Sequence, residues 1–227
     1  DPVRIYLMQM GEIPLLTRPE ELAAARRIKR ARTRFRQWLL TTDYALHAAV
    51  ALLENIRDGR LRLDRTIEVS VINVREKHRL MKLMVPNLRT LKHLLRRNRR
   101  DFAAAANKHL RKKQRREAWR RLVMRRCKAV RLVEELGLRT QRVQPLLEKV
   151  RRICRRMDDV TAQLAELRGR VDAADRRVAL RKELVYLMRV TLESPATLRR
   201  RIERTTSALR EYEAAKRSLS AGNLRLV

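Results

Sequence analysis

Cysteine, glycine, proline and aromatic residues are all scarce in this chain of 227 residues. It has 2 Cys, 5 Gly and 6 Pro, and aromatic residues make up only 4%. Sandwiches, barrels and collagen-like chains need many more Gly and Pro residues for their turns, so these classes are excluded. Two cysteines cannot build a disulfide framework, which favours a reducing, cytoplasmic location. The composition therefore predicts an all-α, intracellular protein.

The chain also lacks any apolar run of about 18 residues, so no membrane span is expected. Its first residues, Asp1-Pro2-Val3-Arg4, do not have the basic and then apolar pattern of a signal peptide. The absence of an initiator Met predicts a piece of a longer protein. Hydrophobic residues nevertheless account for 44% of the chain, which is enough to form a core and excludes simple disorder.

Acidic residues are few relative to basic ones, with 25 Asp and Glu against 57 Lys and Arg, a formal charge of +32. Such an excess calls for an anionic partner, and nucleic acid is the commonest in the cytoplasm. Anionic lipid or an acidic protein surface are the alternatives. The excess is densest from Arg96 to Arg131, whereas residues 1–25 are slightly acidic.

Capping signals and apolar stripes predict helices along the whole chain. A short helix from Pro2 to Met10 should end at Gly11. Thr17-Arg18-Pro19-Glu20 is a capping box for a helix that ends near Trp38. The predictions for the following segments are a helix over Asp43–Ile56 capped by Asp43, extended chain over Thr66–Val71, a helix over Val74–Met84, a break at Pro86-Asn87 with a new helix beyond it, and a helix starting at Ser194-Pro195.

Apolar residues recur at alternating spacings of three and four from Val150 to Val178, which is the pattern of a heptad seam. Gly137 and Thr140 mark a turn just before it. We therefore expect a helical bundle with a long antiparallel, coiled-coil-like hairpin, whose arms lie near 108–136 and 141–190. The predicted domains are helices at 1–38, a first part of a helical insertion at 39–107, a basic hairpin at 108–190, and a final helix at 195–227.

No catalytic or metal-binding pattern is present, so we expect no enzyme activity, no cofactor, no metal and no small-molecule substrate. His47, His78, His93 and His109 are scattered, with no Cys or carboxylate cluster at the spacing of metal ligands. Arg and Lys pairs recur between 96 and 126. Three interpretations of these pairs remain open: non-specific contact with phosphates, binding of an acidic protein, or a solvated helix face.

Both ends of the chain carry a family resemblance. Residues 1–18 read DPVRIYLMQMGEIPLLTR and closely resemble region 1.2 of primary-type (housekeeping) bacterial sigma factors. Residues 214–227 read AAKRSLSAGNLRLV and look like the start of region 2.1 in the same family. The resemblance implies that the middle is the variable, non-conserved insertion between those regions. It also implies a subunit of RNA polymerase holoenzyme that recognises and helps to melt promoter DNA, with the core, notably its β′ subunit, as partner.

The resemblance further implies residues that touch the non-template strand. Arg4, Tyr6, Leu7 and Met8 match positions that contact the discriminator, although the family commonly has a basic residue in place of Met8.

Other matching positions form a pocket for a flipped base at the downstream end of the −10 element: Glu21, Asn223 and Leu226. Arg225, in the same terminal motif, is counted with the DNA-binding residues. We expect Glu21 and Asn223 to be close, with the helix after Thr17 packed against the helix that ends the chain. The alternative interpretation is a basic coiled-coil scaffold that binds nucleic acid without sequence preference.

Overall fold

The computed structural model describes residues 16–69, 72–170 and 172–224. Within them, secondary structure is helical except for one isolated antiparallel bridge between Ile67 and Leu138. The predicted all-α class is confirmed. In chain order the helices are α1 (Arg18–Leu40), α2 (Asp43–Arg57), α3 (Leu63–Thr66), α4 (Val74–Ala106), α5 (Lys112–Glu135), α6 (Thr140–Val143), α7 (Leu146–Glu166), α8 (Ala174–Thr191) and α9 (Pro195–Leu224).

The chain divides into two compact units. One, the end unit, consists of Asp1–Trp38 and Glu203–Val227, and the other, the inserted unit, consists of Leu39–Ile202. Helices α1 and α9 each begin in one unit and end in the other. The domain boundaries predicted within the insertion stay predictions.

Helix α2 forms the centre of the inserted unit, where it packs against α4, α5, α7 and α8. Its predicted stripe is buried: Leu46, Val50, Leu53 and Ile56. The helix ends at Arg57 with Asp58 as its C-cap, and Gly59 takes a positive φ of 73° beyond it. Asp43 is not the cap, because it is the first helical residue and is fully buried among side chains of other helices.

Helices α4 and α5 form the most extensive antiparallel pair. Arg115 at the start of α5 donates to the carbonyl of Ala105 at the end of α4 (3.0 Å), and Asn87 bonds Glu135 at the opposite end (3.3 Å). The predicted break at Pro86 is wrong, because α4 runs through it. Pro86 removes one backbone hydrogen bond, but the buried stripe keeps one helical register on both sides of it: Leu80, Met84, Leu88, Leu91 and Leu95.

The predicted pairing of 108–136 with 141–190 is not the one observed. Helix α5 packs on α4, and the second predicted arm is itself folded into the antiparallel pair α7–α8. Gly169, with a φ of 86°, lies in the turn between them. Arg156 on α7 forms a two-bond ion pair with Glu183 on α8, at 2.6 and 2.8 Å. From the sequence, Gly169 is expected only to weaken the seam, but with its left-handed backbone it lies in a turn that separates two helices.

The extended chain predicted over Thr66–Val71 is observed at Ile67, but Thr66 is the last residue of α3, and residues 70–71 lie outside the described residues. The segment after α3 pairs with another part of the chain. The backbone N–H of Glu68 donates to the carbonyl of Gly137, and that of Arg139 donates to Thr66, both at 2.8 Å. These two bonds join the loop after α3 to the turn after α5. Gly137 turns there with a φ of 62°, which ends α5 where its sequence predicts.

Candidate nucleic-acid interface

The end unit is built on two helical segments, 18–38 of α1 and 203–224 of α9. Each carries a row of buried or half-buried residues at alternating spacings of three and four, the spacing that lets two helices pack along a seam. The row on α1 is Glu21, Ala24, Ile28, Ala31, Phe35 and Trp38, and that on α9 is Thr205, Ala208, Tyr212, Ala215, Leu219 and Gly222.

Aromatic and charged side chains hold one end of this pair together. The rings of Phe35 and Tyr212 stack with their centroids 6.5 Å apart, and Phe35 is fully buried. Arg34 pairs with Glu211 at 3.0 Å, and the guanidinium of Arg204 lies 5.2 Å from the centre of the Trp38 ring. From Trp38 back to Phe35 the residue number on α1 falls, while that of the partner on α9 rises from Arg204 to Tyr212. The two segments are therefore antiparallel.

At the other end, Gly222 allows a close approach between the start of the α1 segment and the end of α9. A Cβ placed on Gly222 would lie 2.7 Å from Cγ of Leu16. Glu20 completes the predicted capping box, because its carboxylate accepts bonds from the backbone N–H (2.7 Å) and hydroxyl (2.8 Å) of Thr17. These two bonds, the backbone one first, lower the pKa of Glu20 below its ordinary value.

The expected packing of the helix after Thr17 against the last helix is therefore observed. Glu21 lies half-buried in the seam, at the end where Leu16 meets Gly222, and the backbone of Asn223 continues α9 there. Apolar spacing predicts a stripe of Leu22, Ala25, Ile28 and Ala31 on α1, and this prediction is partly wrong. Leu22 is 53% exposed, and the seam begins one position earlier, through Glu21 and Ala24. The other candidates, Arg4, Tyr6, Leu7, Met8, Arg225 and Leu226, and the side chain of Asn223 lie outside the described residues.

Helix α5 in the inserted unit presents a basic row that faces solvent. Six exposed positions follow one another at spacings of three or four: Lys113, Arg116, Arg120, Met124, Cys127 and Arg131. The row extends from residue 113 to residue 131, a length of about 27 Å at the helical rise. Two neighbouring cations do not belong to it, because Arg121 and Arg125 both pair with Asp101 on α4. The sequence predicted a basic segment, and the structure separates its solvent-facing residues from its paired ones.

Arg126 departs most from that prediction, because it is only 1% exposed although its sequence neighbours are basic. Its guanidinium pairs with Asp43 of α2 and with Glu193 (2.6 Å), and it donates to the carbonyl of Leu192 (3.0 Å). Glu193 Oε1 also accepts from Arg201 at 2.8 Å. Since Leu122, Ala129 and Val133 share the buried side of α5, the position of Arg126 on that apolar stripe was the available signal.

This buried network has balanced charge, with Arg126 and Arg201 opposite Asp43 and Glu193. Asn98 of α4 adds a bond of 3.0 Å to Asp43. Burial lowers the pKa of Arg201, an effect that the negative charge of Glu193 opposes. Within the part of the chain that the structure describes, Glu193 Oε2 is the one buried side-chain oxygen or nitrogen without a hydrogen-bond partner. The network joins α2, α4, α5 and the start of α9.

The described residues contain no group of three or more His, Cys, Asp and Glu side chains that could hold a metal ion. In the same residues, no helix is long and apolar enough to cross a bilayer.

Comparison with known proteins identifies the first segment. Residues 1–32 match the family model of the sigma-70 factor, region 1.2. The first segment of the chain is thus similar to region 1.2 of sigma-70 factors. It is also 31% identical over 71 residues to the RNA polymerase sigma factor RpoD of Neisseria gonorrhoeae. That match covers 31% of this chain and 11% of the relative, so the chain spans about a tenth of the length of this curated sigma factor. The resemblance to a primary-type sigma factor is confirmed.

Proposed function

We propose that this chain is a segment of a primary-type sigma factor, the subunit with which bacterial RNA polymerase recognises promoter DNA and begins to melt it. The observation that carries the proposal is the match of residues 1–32 to sigma-70 region 1.2. In this function the chain performs no chemistry. It binds DNA, while the polymerase core, its partner, synthesises RNA.

The proposed contacts lie at the two ends of the chain. Arg4, Tyr6, Leu7 and Met8 contact the non-template strand of the discriminator. The cation attracts a phosphate or a base edge, and the apolar side chains pack on an unstacked base. Extruded bases expose edges that a duplex hides, so binding them stabilises the melted state.

A second group binds the flipped base at the downstream end of the −10 element: Glu21, Asn223, Arg225 and Leu226. The antiparallel packing of α1 on α9 supports this proposal, because it brings the start of one segment to the end of the other. The Leu16–Gly222 contact is at that end. A carboxylate and an amide there can both form hydrogen bonds with a base edge, and Leu226 adds an apolar surface.

The basic row of α5 is proposed to contact either promoter phosphates or an acidic surface of the core, with the β′ subunit as the expected site. Four cations lie along the row and one exposed carboxylate, Glu117, lies beside them, so the row keeps a positive excess. Cations on a straight helix suit a linear array of phosphates. Such contacts add affinity without base preference. A scaffold that binds nucleic acid without sequence preference is the competing function.

The test uses the intact protein assembled with polymerase core and promoters that differ by single bases in the discriminator. We expect Arg4→Ala and Tyr6→Ala each to reduce the spread of affinities among these promoters. Lys29→Ala, which removes an exposed cation of α1, is the matched control and should leave the spread unchanged. If both variants keep the wild-type spread, the discriminator assignment is wrong. If the wild type shows no spread at all, the non-specific scaffold is favoured.

A further inference from the structure

The inserted unit contains an open groove between α2, α4 and α8 that no part of the proposed function uses. Its volume is about 1120 Å³. Two turns of an α-helix, about 10 Å across and about 11 Å long, occupy a comparable space. All residues of this α2–α4–α8 groove belong to the inserted unit.

The floor of the groove is apolar. Phe102 and Met188 line it together with Leu192 and with Val185, which is 45% exposed. On α8, only Leu180 and Thr191 are buried, so much of this helix lacks a covering partner. Tyr186 beside the floor is 65% exposed. Apolar surface of this kind, left open on a folded unit, is typical of an interaction site.

The rim of the groove is positive. Arg99 of α4 and Arg189 of α8 both line it, and among the described residues no Asp or Glu lines it. His47 of α2 lies 3.5 Å from the guanidinium of Arg99. Burial lowers the pKa of His47, and the positive charge of Arg99 lowers it further, while Asp43 opposes both effects. Asp43 does not itself line the groove, because it is fully buried against Arg126 and Asn98.

We propose that the α2–α4–α8 groove binds an acidic amphipathic helix of a partner protein. Apolar side chains of that helix cover Val185, Phe102 and Met188, and its flanking carboxylates pair with Arg99 and Arg189. This is the helix-in-groove mode of recognition, in which an apolar stripe gives affinity and the rim charges select the partner. A second copy of this chain is a poor occupant, because two chains of charge +32 repel each other.

The experiment measures binding of labelled peptides to the intact protein by fluorescence anisotropy. The probe is a helical peptide of about twelve residues with leucines on one face and glutamates on both flanks. Its comparison peptides are a version with lysines for glutamates, a scrambled version, and a single-stranded DNA of similar length. We expect the acidic peptide to bind roughly tenfold or more tightly than either comparison peptide.

Two variants test whether the acidic peptide binds in the groove. Ala103→Trp fills it from an exposed position of α4, and Arg189→Glu reverses a rim charge; each should weaken the acidic peptide by about tenfold. Ala179→Trp and Arg176→Glu make the same changes at exposed sites of α8 that do not line the groove, and should have little effect.

The proposal fails if the acidic peptide shows no preference over its comparison peptides, or if the groove and control variants behave alike. It also fails if the DNA, and not the peptide, loses affinity in Ala103→Trp, because the occupant would then be a nucleic acid. None of these results depends on promoter recognition, so they leave the proposed sigma-factor function unaffected.

Discussion

Arg126 and Glu193 form an ion pair of 2.6 Å in the interior of the inserted unit, although 67 positions separate them in the sequence. Both side chains are at most 2% exposed, and Asp43 completes the pairing of the guanidinium. Removing one member of a buried network costs more than the network itself contributes, because the remaining charges stay buried without a partner.

We therefore expect Arg126→Met to lower the free energy of unfolding by about 3–5 kcal/mol. Urea unfolding of the inserted unit, followed in the intact protein by hydrogen exchange, measures this change. Arg131→Met removes an exposed cation from the same helix and should change stability by less than about 0.5 kcal/mol. Equal, small effects of both substitutions would mean that the network is not coupled to folding.

Gly222 gives a second prediction, on the end unit. Gly222→Val introduces a Cβ against the side chain of Leu16, so the first turns of α1 should separate from the end of α9. Overpacking of this kind costs about 1–3 kcal/mol, so amide exchange around Glu21 should accelerate by about tenfold or more.

The control for this prediction is Ser220→Val, which adds the same branched side chain at an exposed position of α9 outside the seam. Exchange near Phe35 should stay unchanged in both variants, because the Phe35–Tyr212 stack lies at the other end of the pair. Unaltered exchange around Glu21 in Gly222→Val would show that this end of the helix pair does not need the close approach.

The basic row of α5 predicts a salt dependence. Replacing Lys113, Arg116, Arg120 and Arg131 by Gln together should lower the slope of log Kd against log salt for promoter binding by about 3–4, if each contacts a phosphate. Substituting Arg152, Arg155, Arg176 and Arg181 removes the same charge from α7 and α8. If these control substitutions on α7 and α8 lower the slope equally, the salt dependence reflects the net charge of the protein and not contacts of the basic row. A change confined to binding of core without DNA assigns the row to an acidic core surface.

The ion pair between Arg156 and Glu183 predicts a response to acid. The hydrogen bond from Arg156 lowers the pKa of Glu183 in the folded state. Its stabilising effect is therefore complete above the pKa of the unfolded chain and disappears as pH falls through the lower, folded-state pKa. Wild type should have a higher Tm than Glu183→Gln at pH 7, and the gap should close below about pH 4. A gap that persists at pH 2 would show that packing, not charge, causes it.

Sequence periodicity predicted helices well where one apolar stripe decides the structure, as at Leu46, Val50 and Leu53 of α2. It failed at Pro86, because local propensity predicts a break while packing on both sides of the residue keeps α4 continuous. The pairing of helices predicted from periodicity was also wrong. The alternating spacing that begins at Val150 is the same whether the predicted arm 141–190 forms one helix or two. Only the left-handed turn at Gly169 distinguishes them, and Gly is tolerated in both.

The candidate site, too, was predictable from the sequence only in part. The order of the two terminal motifs predicted that α1 would pack on α9, and the seam through Phe35 and Tyr212 has that arrangement. The buried role of Arg126 could not be predicted from a run of basic residues, because its partners Asp43 and Glu193 come from distant parts of the chain. The α2–α4–α8 groove has the same origin, since three segments far apart in sequence form its walls.

One hydrogen bond has a consequence for how such chains diversify. Arg201 donates to the hydroxyl of Thr41 at 2.7 Å, and these residues lie next to the two points at which the chain passes between the units. This hydrogen bond therefore joins the beginning of the inserted unit to its end. Helices added or removed between these two residues would leave this hydrogen bond in place, so we expect the inserted unit to tolerate changes of length there.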